Sequence, residues 1–371
     1  MKSLFLFIFL VANLIAGDIE EGNKAFDMKD YKKAKEYYEK SAKNGEGVGY
    51  NNLGLLYDKG YGVEVDPKKA KEYYQKGCEL GYIQSCYSLG VCYDDALGVE
   101  QNFTKAALLY DKACKNGYIK ACYNLGVMYD QAKGFKQDYK MARVLYNIAC
   151  KKEHMGACYN LGIIYHFGRG VKKDLTKAKE LYTKSCNNNE MLACNNLAVL
   201  HEEKKEFKKA LELYKKSCKM GNGMACSNVG GLYDFAKGVK KDMKSANIYY
   251  KKACDLDNAK GCLNLGVSYE DGLSVKKDLQ KAKELYSKAC KLGDTSGCLD
   301  IGVLYYKEDS KSAKAKALEY FNKGCSLGYG KSCYYCGILY EEDSGVKKDI
   351  SKAKEYYKKA CQLGYKSACS N

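Results

Sequence analysis

Small and apolar residues recur along this chain with the period of an α-helix. Residues 120–150 contain two stripes whose members stand three or four positions apart. The first stripe consists of Cys122, Leu125, Gly126 and Tyr129, and the second of Ala142, Leu145, Tyr146 and Ala149. This spacing predicts a unit of two amphipathic helices, A and B, which run antiparallel because only a short turn joins them.

Nine cysteine pairs, each eight residues apart, mark copies of this unit. The pairs are Cys78 with Cys86, Cys114 with Cys122, Cys150 with Cys158, Cys186 with Cys194, Cys218 with Cys226, Cys254 with Cys262, Cys290 with Cys298, Cys325 with Cys333 and Cys361 with Cys369. Their first members are separated by 36, 36, 36, 32, 36, 36, 35 and 36 residues. Self-similarity at this period is typical of a solenoid. We predict an all-α α/α solenoid of ten helix pairs, the first near residues 18–43, forming one domain over residues 18–371.

The turns within the units carry local signals. Glycines such as Gly60, Gly134 and Gly168 allow the positive φ angles at which helix A ends. An aspartate follows in most units, as at Asp66 and Asp138, and is expected to cap helix B by accepting hydrogen bonds from free backbone amides.

The first sixteen residues resemble a secretory signal peptide. A basic start at Lys2 precedes an apolar stretch from Leu4 to Ile15, and Ala16 and Gly17 are small residues suited to cleavage. A membrane anchor is the alternative, but about 20 apolar residues are needed to span a bilayer. We therefore expect a periplasmic or secreted protein after removal of residues 1–16, without a stable membrane anchor.

In an oxidising compartment the paired cysteines are predicted to form disulfides. Zinc is disfavoured, because its thiolate ligands usually pair at closer spacing. Each disulfide would join the end of one helix B to the start of the next helix A and contribute about 2.5 kcal/mol. The first junction has Ala42 and Tyr50 instead, so we expect the N-terminal hairpin to fray first. Cys92 and Cys336 lie outside the pattern and are expected to pack as apolar groups.

The element running from Leu161-Gly162 to Cys186 resembles the Sel-like repeat, a relative of the tetratricopeptide repeat. With the paired cysteines and the leader, the chain is similar to the Helicobacter cysteine-rich proteins. The resemblance implies a right-handed superhelix that binds peptide or cell-wall-derived ligands and protein partners through a concave face lined by helices A. One unit departs from it, because residues Glu202 to Phe207 replace the glycine turn.

Members of that family are often labelled β-lactamases, so the resemblance also implies a penicillin-binding protein or a weak β-lactamase. Serine β-lactamases need S-x-x-K together with S-D-N and K-T-G elements. Only the first element occurs, as Ser274/Lys277, Ser344/Lys347 and Ser351/Lys354. The three histidines, His154, His166 and His201, lack metal-ligand spacing. Catalytic residues therefore cannot be named, and we expect no metal and no cofactor.

A recurring asparagine gives the main hint of a binding surface. It precedes the helix A leucine or valine at Asn52, Asn124, Asn160, Asn196, Asn228 and Asn264, with Ser88 and Asp300 as variants. We call these six asparagines the ladder. An amide has both donor and acceptor groups, so the ladder is predicted to bind an extended peptide. Tyr87, Tyr123 and Tyr159 precede the ladder position and add apolar faces. The alternative is that these residues only help the helices to pack.

Most other tyrosines are predicted to lie on the core stripe, namely Tyr57, Tyr93, Tyr129, Tyr165, Tyr233, Tyr269 and Tyr305. The net charge of +17 includes lysine pairs at equivalent turns, such as Lys172-Lys173 and Lys240-Lys241. A basic stripe attracts anionic partners, but a solvated surface is the simpler interpretation. We expect a monomer that binds protein, peptide or peptidoglycan-derived ligands and no nucleic acid.

Overall fold

The structure is a computed structural model that describes residues 17–308, 310–342 and 345–370. The predicted leader, residues 1–16, lies outside the described residues. Within the described part of the chain, all regular structure is helical. The chain divides into two compact halves, residues 1–184 and 185–371.

The first half begins with a helix over residues 17–27, here α1. It continues with α2 (Tyr31–Lys43), α3 (Gly47–Lys59), α4 (Pro67–Glu79), α5 (Ile83–Asp94), α6 (Phe103–Lys115), α7 (Ile119–Asp130), α8 (Tyr139–Lys151), α9 (Met155–Phe167) and most of α10 (Leu175–Asn187).

The second half has the same alternation. It contains α11 (Met191–Glu203), α12 (Phe207–Lys219), α13 (Gly223–Asp234), α14 (Met243–Asp255), α15 (Ala259–Asp271), α16 (Leu279–Lys291), α17 (Thr295–Tyr306), α18 (Lys311–Ser326), α19 (Gly330–Glu341) and α20 (Ile350–Gln362). A 3₁₀ turn, Lys366–Ala368, follows.

Odd-numbered helices are helices A and even-numbered helices are helices B. Within each half, a helix A packs against the helix B that follows it, and that helix B packs against the next helix A. The predicted disulfide-linked α/α solenoid of ten helix pairs is confirmed at this level. Its continuity as one domain over residues 18–371 stays a prediction.

The glycine of the helix A element L-G is required by packing within the pair. A Cβ atom on Gly126 of α7 would lie 2.8 Å from Cε1 of Tyr146 on α8. Equivalent contacts join Gly90 to Tyr110 and Gly266 to Tyr286. These helix B tyrosines are among the largest fully buried side chains. They, and not the helix A tyrosines, fill the centre of each pair.

The helix A tyrosines predicted to lie in the core are half-buried, with Tyr165 alone fully buried. The lysine in the first turn of helix B covers several of these rings. The Nζ atom of Lys105 lies 5.1 Å from the ring centroid of Tyr93, and that of Lys177 lies 4.4 Å from Tyr165. The predicted place of these rings on the core side is confirmed, because each half-buried ring packs against a cluster of buried side chains. In several units a long side chain from a helix B covers the outer side of the ring as well.

The predicted turn chemistry is present. Gly60 and Gly168 end their helices A with positive φ angles of 71° and 68°. Asp66 accepts from the amide of Lys69, and Asp138 accepts from the amides of Lys140 and Met141. The caps are therefore where local sequence predicts, but α7 ends at Asp130, before Gly134, and Ala132 is the first residue after it with a positive φ angle, 57°.

Every predicted cysteine pair lies at disulfide distance, with Cα atoms 4.5 to 4.9 Å apart. In the first half, disulfides join Cys78 to Cys86, Cys114 to Cys122 and Cys150 to Cys158. In the second half, they join Cys186 to Cys194, Cys218 to Cys226, Cys254 to Cys262, Cys290 to Cys298, Cys325 to Cys333 and Cys361 to Cys369. The geometry therefore agrees with the predicted connectivity at each of the nine junctions.

The two remaining cysteines are free and buried, as expected. They are Cys92 on α5 and Cys336 on α19. Burial raises the pKa of both thiols to about 12. Neither side chain is therefore a thiolate at neutral pH.

Candidate functional site

The ladder asparagines lie on helices A at equivalent positions. In the first half they are Asn52 on α3, Asn124 on α7 and Asn160 on α9, and in the second half Asn196 on α11, Asn228 on α13 and Asn264 on α15. All six are half-buried. The structure thus gives each of these helices A one partly accessible amide, while ligand binding by these amides stays a prediction.

Ladder amides also have contacts inside the protein. Asn124 lies beside the hydroxyl of Tyr110, the buried tyrosine of the preceding helix B. Burial raises the pKa of Tyr110, and the Asn124 amide opposes that rise. The same pairing joins Tyr38 to Asn52, Tyr146 to Asn160, Tyr214 to Asn228 and Tyr250 to Asn264. Some amides have further partners, since Asn52 also donates to Asn23 and Asn196 accepts from Asn195. An amide has two donor hydrogens and an acceptor oxygen, so a single hydroxyl satisfies only part of it.

The buried tyrosines belong to a network that sequence reasoning missed. The Tyr146 hydroxyl donates to Oδ2 of Asp130, 3.2 Å away at the end of α7. The same bond recurs sixteen residues apart at Tyr110–Asp94, Tyr250–Asp234, Tyr286–Glu270 and Tyr357–Glu341. In the shortened unit, Tyr214 donates to Glu202.

Two variant units support this assignment. Where the helix B residue is Phe321, which has no hydroxyl, the acceptor position holds Tyr306 instead of a carboxylate. In another unit, Nδ1 of His166 lies 3.3 Å from the Tyr182 hydroxyl. Donor and acceptor positions therefore change together in the Phe321 unit, and only the acceptor position changes in the Tyr182 unit. The joint change in the first unit was the signal available in the sequence.

The three tyrosines beside the ladder position are half-buried and partly covered by other rings. The ring centroids of Tyr87 and Tyr118 are 4.8 Å apart, and those of Tyr123 and His154 are 4.4 Å apart. Tyr159 lies 6.0 Å from Tyr182. The Tyr87 hydroxyl also accepts from Nδ2 of Asn124 at 3.5 Å. These rings lie next to the ladder, but much of their surface is used in packing.

An apolar stripe on helix A was also missed. Three positions after the ladder position, most helices A have a half-buried aliphatic side chain. These are Leu55, Val91, Val127 and Ile163 in the first half, and Val199, Val267, Val303 and Ile338 in the second. Residues three apart share a helix face. Most layers therefore present a polar group and an apolar group side by side.

Charged pairs lie at one end of this face. Lys133 contacts Asp94 at 3.5 Å, Arg169 contacts Asp130 at 3.8 Å, and Lys237 contacts Glu202 at 3.0 Å. The ladder variant Asp300 differs from these carboxylates, because burial, and next the charge of Glu270, raise its pKa to about 6.

The residues considered for catalysis have structural partners or lie exposed. His154 caps α9, and His201 lies 2.6 Å from Glu206. Ser274/Lys277 and Ser351/Lys354 are exposed on the surface, and Ser344 lies outside the described residues.

In the described part of the chain, no three histidine, cysteine or acidic side chains are grouped so as to hold a metal ion. No helix of residues 17–308, 310–342 or 345–370 is long and apolar enough to cross a bilayer.

Paired helices with a repeated face define the class of α/α repeat proteins. Within that class, Sel1 repeats match ten segments, residues 21–46, 47–82, 83–118, 119–154, 156–190, 192–222, 223–258, 259–294, 295–329 and 330–365. The chain therefore belongs to the Sel1 repeat family.

A solved structure agrees with this assignment. The protein is similar to a protective antigen of uropathogenic Escherichia coli with an SLR fold, at 25% identity and a TM-score of 0.66 over 90% of this chain and 80% of that chain. It is also similar to Helicobacter pylori cysteine rich protein B, at 38% identity over 35% of this chain and 97% of that chain, with a TM-score of 0.30. No curated protein matches the chain.

Proposed function

We propose that this protein is an extracytoplasmic repeat scaffold that binds an extended segment of a partner protein through the helix A face. Sel1 repeat proteins generally mediate protein–protein interactions. The observation that carries the proposal is the pairing of a ladder amide with an aliphatic side chain three residues later, as with Asn124 and Val127. Polar and apolar groups in one layer suit a peptide backbone and its side chains, respectively.

The spacing of the layers supports an extended ligand. Neighbouring helices pack about 8–10 Å apart, and an extended chain advances about 3.3–3.6 Å per residue. Successive amides would therefore meet about every third residue of the ligand. The hydrogen-bonding capacity of the Asn124 amide is consistent with this, because its contacts with Tyr110 and Tyr87 leave part of its two donor hydrogens and acceptor oxygen for a ligand.

The disulfides support a location outside the cytosol. Structural disulfides persist in oxidising compartments and are rare in the reducing cytosol. The apolar stretch Leu4 to Ile15 has the length of a secretory leader. We include export and removal of residues 1–16 in the proposal. A peptidoglycan-derived peptide is one ligand of the required chemistry.

The test uses oxidised protein and peptides selected from a random displayed library, with binding measured by fluorescence anisotropy. A variant carrying Asn52→Ala, Asn124→Ala and Asn160→Ala, all in the first half, is expected to bind at least about tenfold more weakly, because each lost hydrogen bond costs about 1 kcal/mol. The control is Gln280→Ala, which removes an exposed amide from a helix B.

Because the ladder amides also contact buried hydroxyls, thermal unfolding must accompany the binding data. A second variant, Val127→Ser, alters the face without removing an amide. The proposal is excluded if folded Asn and Val variants bind every selected peptide as wild type does.

A further inference from the structure

The exposed face of α8 differs from that of every other helix B. Met141, Val144 and Ile148 stand at positions i, i+3 and i+7 and are 41%, 45% and 42% exposed. They therefore form one apolar stripe on the solvent side of the helix. On α6, Leu108 occupies the position equivalent to Val144 and is 66% exposed.

The other repeats show what normally stands at these positions. The Val144 position is glutamate in seven of the ten helices B, namely Glu36, Glu72, Glu180, Glu212, Glu284, Glu319 and Glu355. The Ile148 position is lysine in the nine others, namely Lys40, Lys76, Lys112, Lys184, Lys216, Lys252, Lys288, Lys323 and Lys359. Compared with the other helices B of the same chain, α8 therefore has an apolar surface where most of them have a charged one.

Two pairs of successive helices B contact each other in this half, and the repeat places α6 beside α8 in the same way. Lys112 of α6 donates to the carbonyl of Cys78 on α4 at 3.4 Å, and Lys184 of α10 donates to the carbonyl of Cys150 on α8 at 3.2 Å. Beside Leu108, a cavity of about 360 Å³ opens between α4 and α6, with apolar lining from Leu89, Tyr93 and Leu109 and polar lining from Gln75, Glu79, Lys105 and Lys112. The apolar surface therefore consists of the α8 stripe and Leu108, and a cavity large enough for a side chain adjoins it.

The charges around this surface indicate its partner. Helix α8 carries Lys140, Arg143 and Lys151 and no acidic residue, whereas every other helix B has at least one. An apolar stripe flanked by lysines complements a helix with an apolar stripe flanked by carboxylates. We propose that the α8 stripe with Leu108 is a second docking surface, which binds an acidic amphipathic helix of a partner protein.

Two other occupants fit less well. A second copy of this chain would bring the basic ends of two α8 helices together, and like charges at an interface are unfavourable. An anionic membrane would extend beyond the stripe and meet Glu72 on α4 and Glu180 on α10, which are exposed at the bordering equivalent positions. A single helix bound along α8 is narrow enough to avoid both Glu72 and Glu180.

The decisive variant restores the residues of the other repeats, Val144→Glu with Ile148→Lys. Both side chains occur at the same positions of neighbouring helices, so the fold is expected to be retained. The control is Ile248→Glu, which replaces an equally placed apolar residue, 60% exposed, on α14 of the other half. The N124A/N160A variant changes only the helix A face, so it shows whether the peptide binds there or on α8.

The probes are helical synthetic peptides of about 15 residues, long enough for four helical turns. They carry leucine, isoleucine, methionine or phenylalanine at i, i+3 and i+7 and glutamate at the flanking positions. Matched peptides replace glutamate by lysine. Binding is measured by fluorescence anisotropy, and amide hydrogen exchange locates the bound peptide.

Wild type is expected to bind acidic peptides more tightly than basic ones and to protect α8. The Val144→Glu/Ile148→Lys variant should bind at least about tenfold more weakly, while Ile248→Glu and N124A/N160A bind as wild type. The proposal fails if no acidic peptide binds or if the decisive variant binds normally. Adsorption to phosphatidylglycerol vesicles that depends on the stripe would instead identify a membrane as the occupant. Dimers in sedimentation velocity that depend on the stripe would identify a second copy of this chain.

Discussion

The junction between α2 and α3 and the junction between α8 and α9 both join two packed helices, but different residues hold their cysteine positions. At the later junction Cys150 and Cys158 form a disulfide. At the first, Ala42 and Tyr50 hold the equivalent positions. Helix α2 nevertheless packs on α3 as α8 packs on α9. The disulfide is therefore not what brings the two helices together.

What both junctions share is a pair of small residues next to the cysteine positions. The first junction has Ser41 facing Gly49, and a Cβ atom on Gly49 would lie 2.6 Å from the backbone nitrogen of Ala42. The later one has Ala149 and Ala157, both fully buried. Small side chains allow close backbone approach, and a disulfide then reduces the entropy of the unfolded chain. We infer that the small pair sets the geometry and the disulfide adds stability.

The largest effect should come from breaking the small pair while keeping the disulfide. Ala149→Leu adds three carbons at a fully buried site, so we expect the free energy of unfolding to fall by about 3 kcal/mol. Urea denaturation of oxidised protein measures this. Asn147→Leu, at an exposed position of the same helix, is the control. If Ala149→Leu lowered the free energy of unfolding by less than the loss of one disulfide does, the disulfide would matter more to the junction than the small pair, contrary to our inference.

Next comes removal of one disulfide by Cys150→Ser with Cys158→Ser, which makes a later junction resemble the first. The free energy of unfolding should fall by about 2.5 kcal/mol while the helical content stays unchanged. Urea denaturation and far-ultraviolet circular dichroism check the two parts. Lost helix in the folded variant would mean that the disulfide also shapes the junction.

The junctions also show which features of the fold were predictable. Helix bounds, glycine turns and caps depend on residues within one or two turns of each other, as with Asp138 and the amide of Met141. The cysteine pairs were predictable because repetition made them visible. Local signals of this kind were sufficient for the secondary structure and the order of the helices.

The missed features join residues that only packing brings together. The Tyr146 hydroxyl finds Asp130 sixteen residues away, and the Lys184 ammonium finds the carbonyl of Cys150 thirty-four residues away. The ladder positions were visible in the sequence, but their contact with buried hydroxyls was not foreseen, because spacing along one helix does not reveal what the neighbouring helix offers.

A disulfide added to the first junction should have a somewhat smaller effect. Ala42→Cys with Tyr50→Cys gives this junction the residues of the other nine, and we expect a gain of about 2 kcal/mol for the N-terminal hairpin. Amide hydrogen exchange of residues 18–45 is the appropriate measurement, since terminal units open separately in repeat proteins. In wild type these amides should exchange faster than those of α7 and α8. Equal protection in wild type would mean that the missing disulfide has no consequence.

The smallest effect is expected beside the junction of Cys290 and Cys298, where a partly buried carboxyl group lowers the stability of the folded state. Two residues after Cys298, the ladder position holds Asp300, whose pKa is raised from 3.8 to about 6 by burial and then by Glu270 and Asp294, against the opposing charges of Lys331 and Lys307. Between pH 4 and pH 6 the folded state therefore binds more protons than the unfolded state. The protonated carboxyl group of Asp300 is tolerated better in the folded state than the ionised group is. The free energy of unfolding therefore falls as pH rises through the folded-state pKa of about 6.

Asp300→Asn removes this cost by introducing the amide that six other repeats have at this position. The variant should match wild type near pH 4 and exceed it by about 1 kcal/mol at pH 7, a figure reduced from the full shift because solvent screens a partly exposed carboxylate. Urea denaturation across this range measures the difference, with the exposed Asp255→Asn as control. A constant difference at all pH values would show that Asn is preferred for packing alone. A difference that grows with pH would show that charge distinguishes this junction from the others.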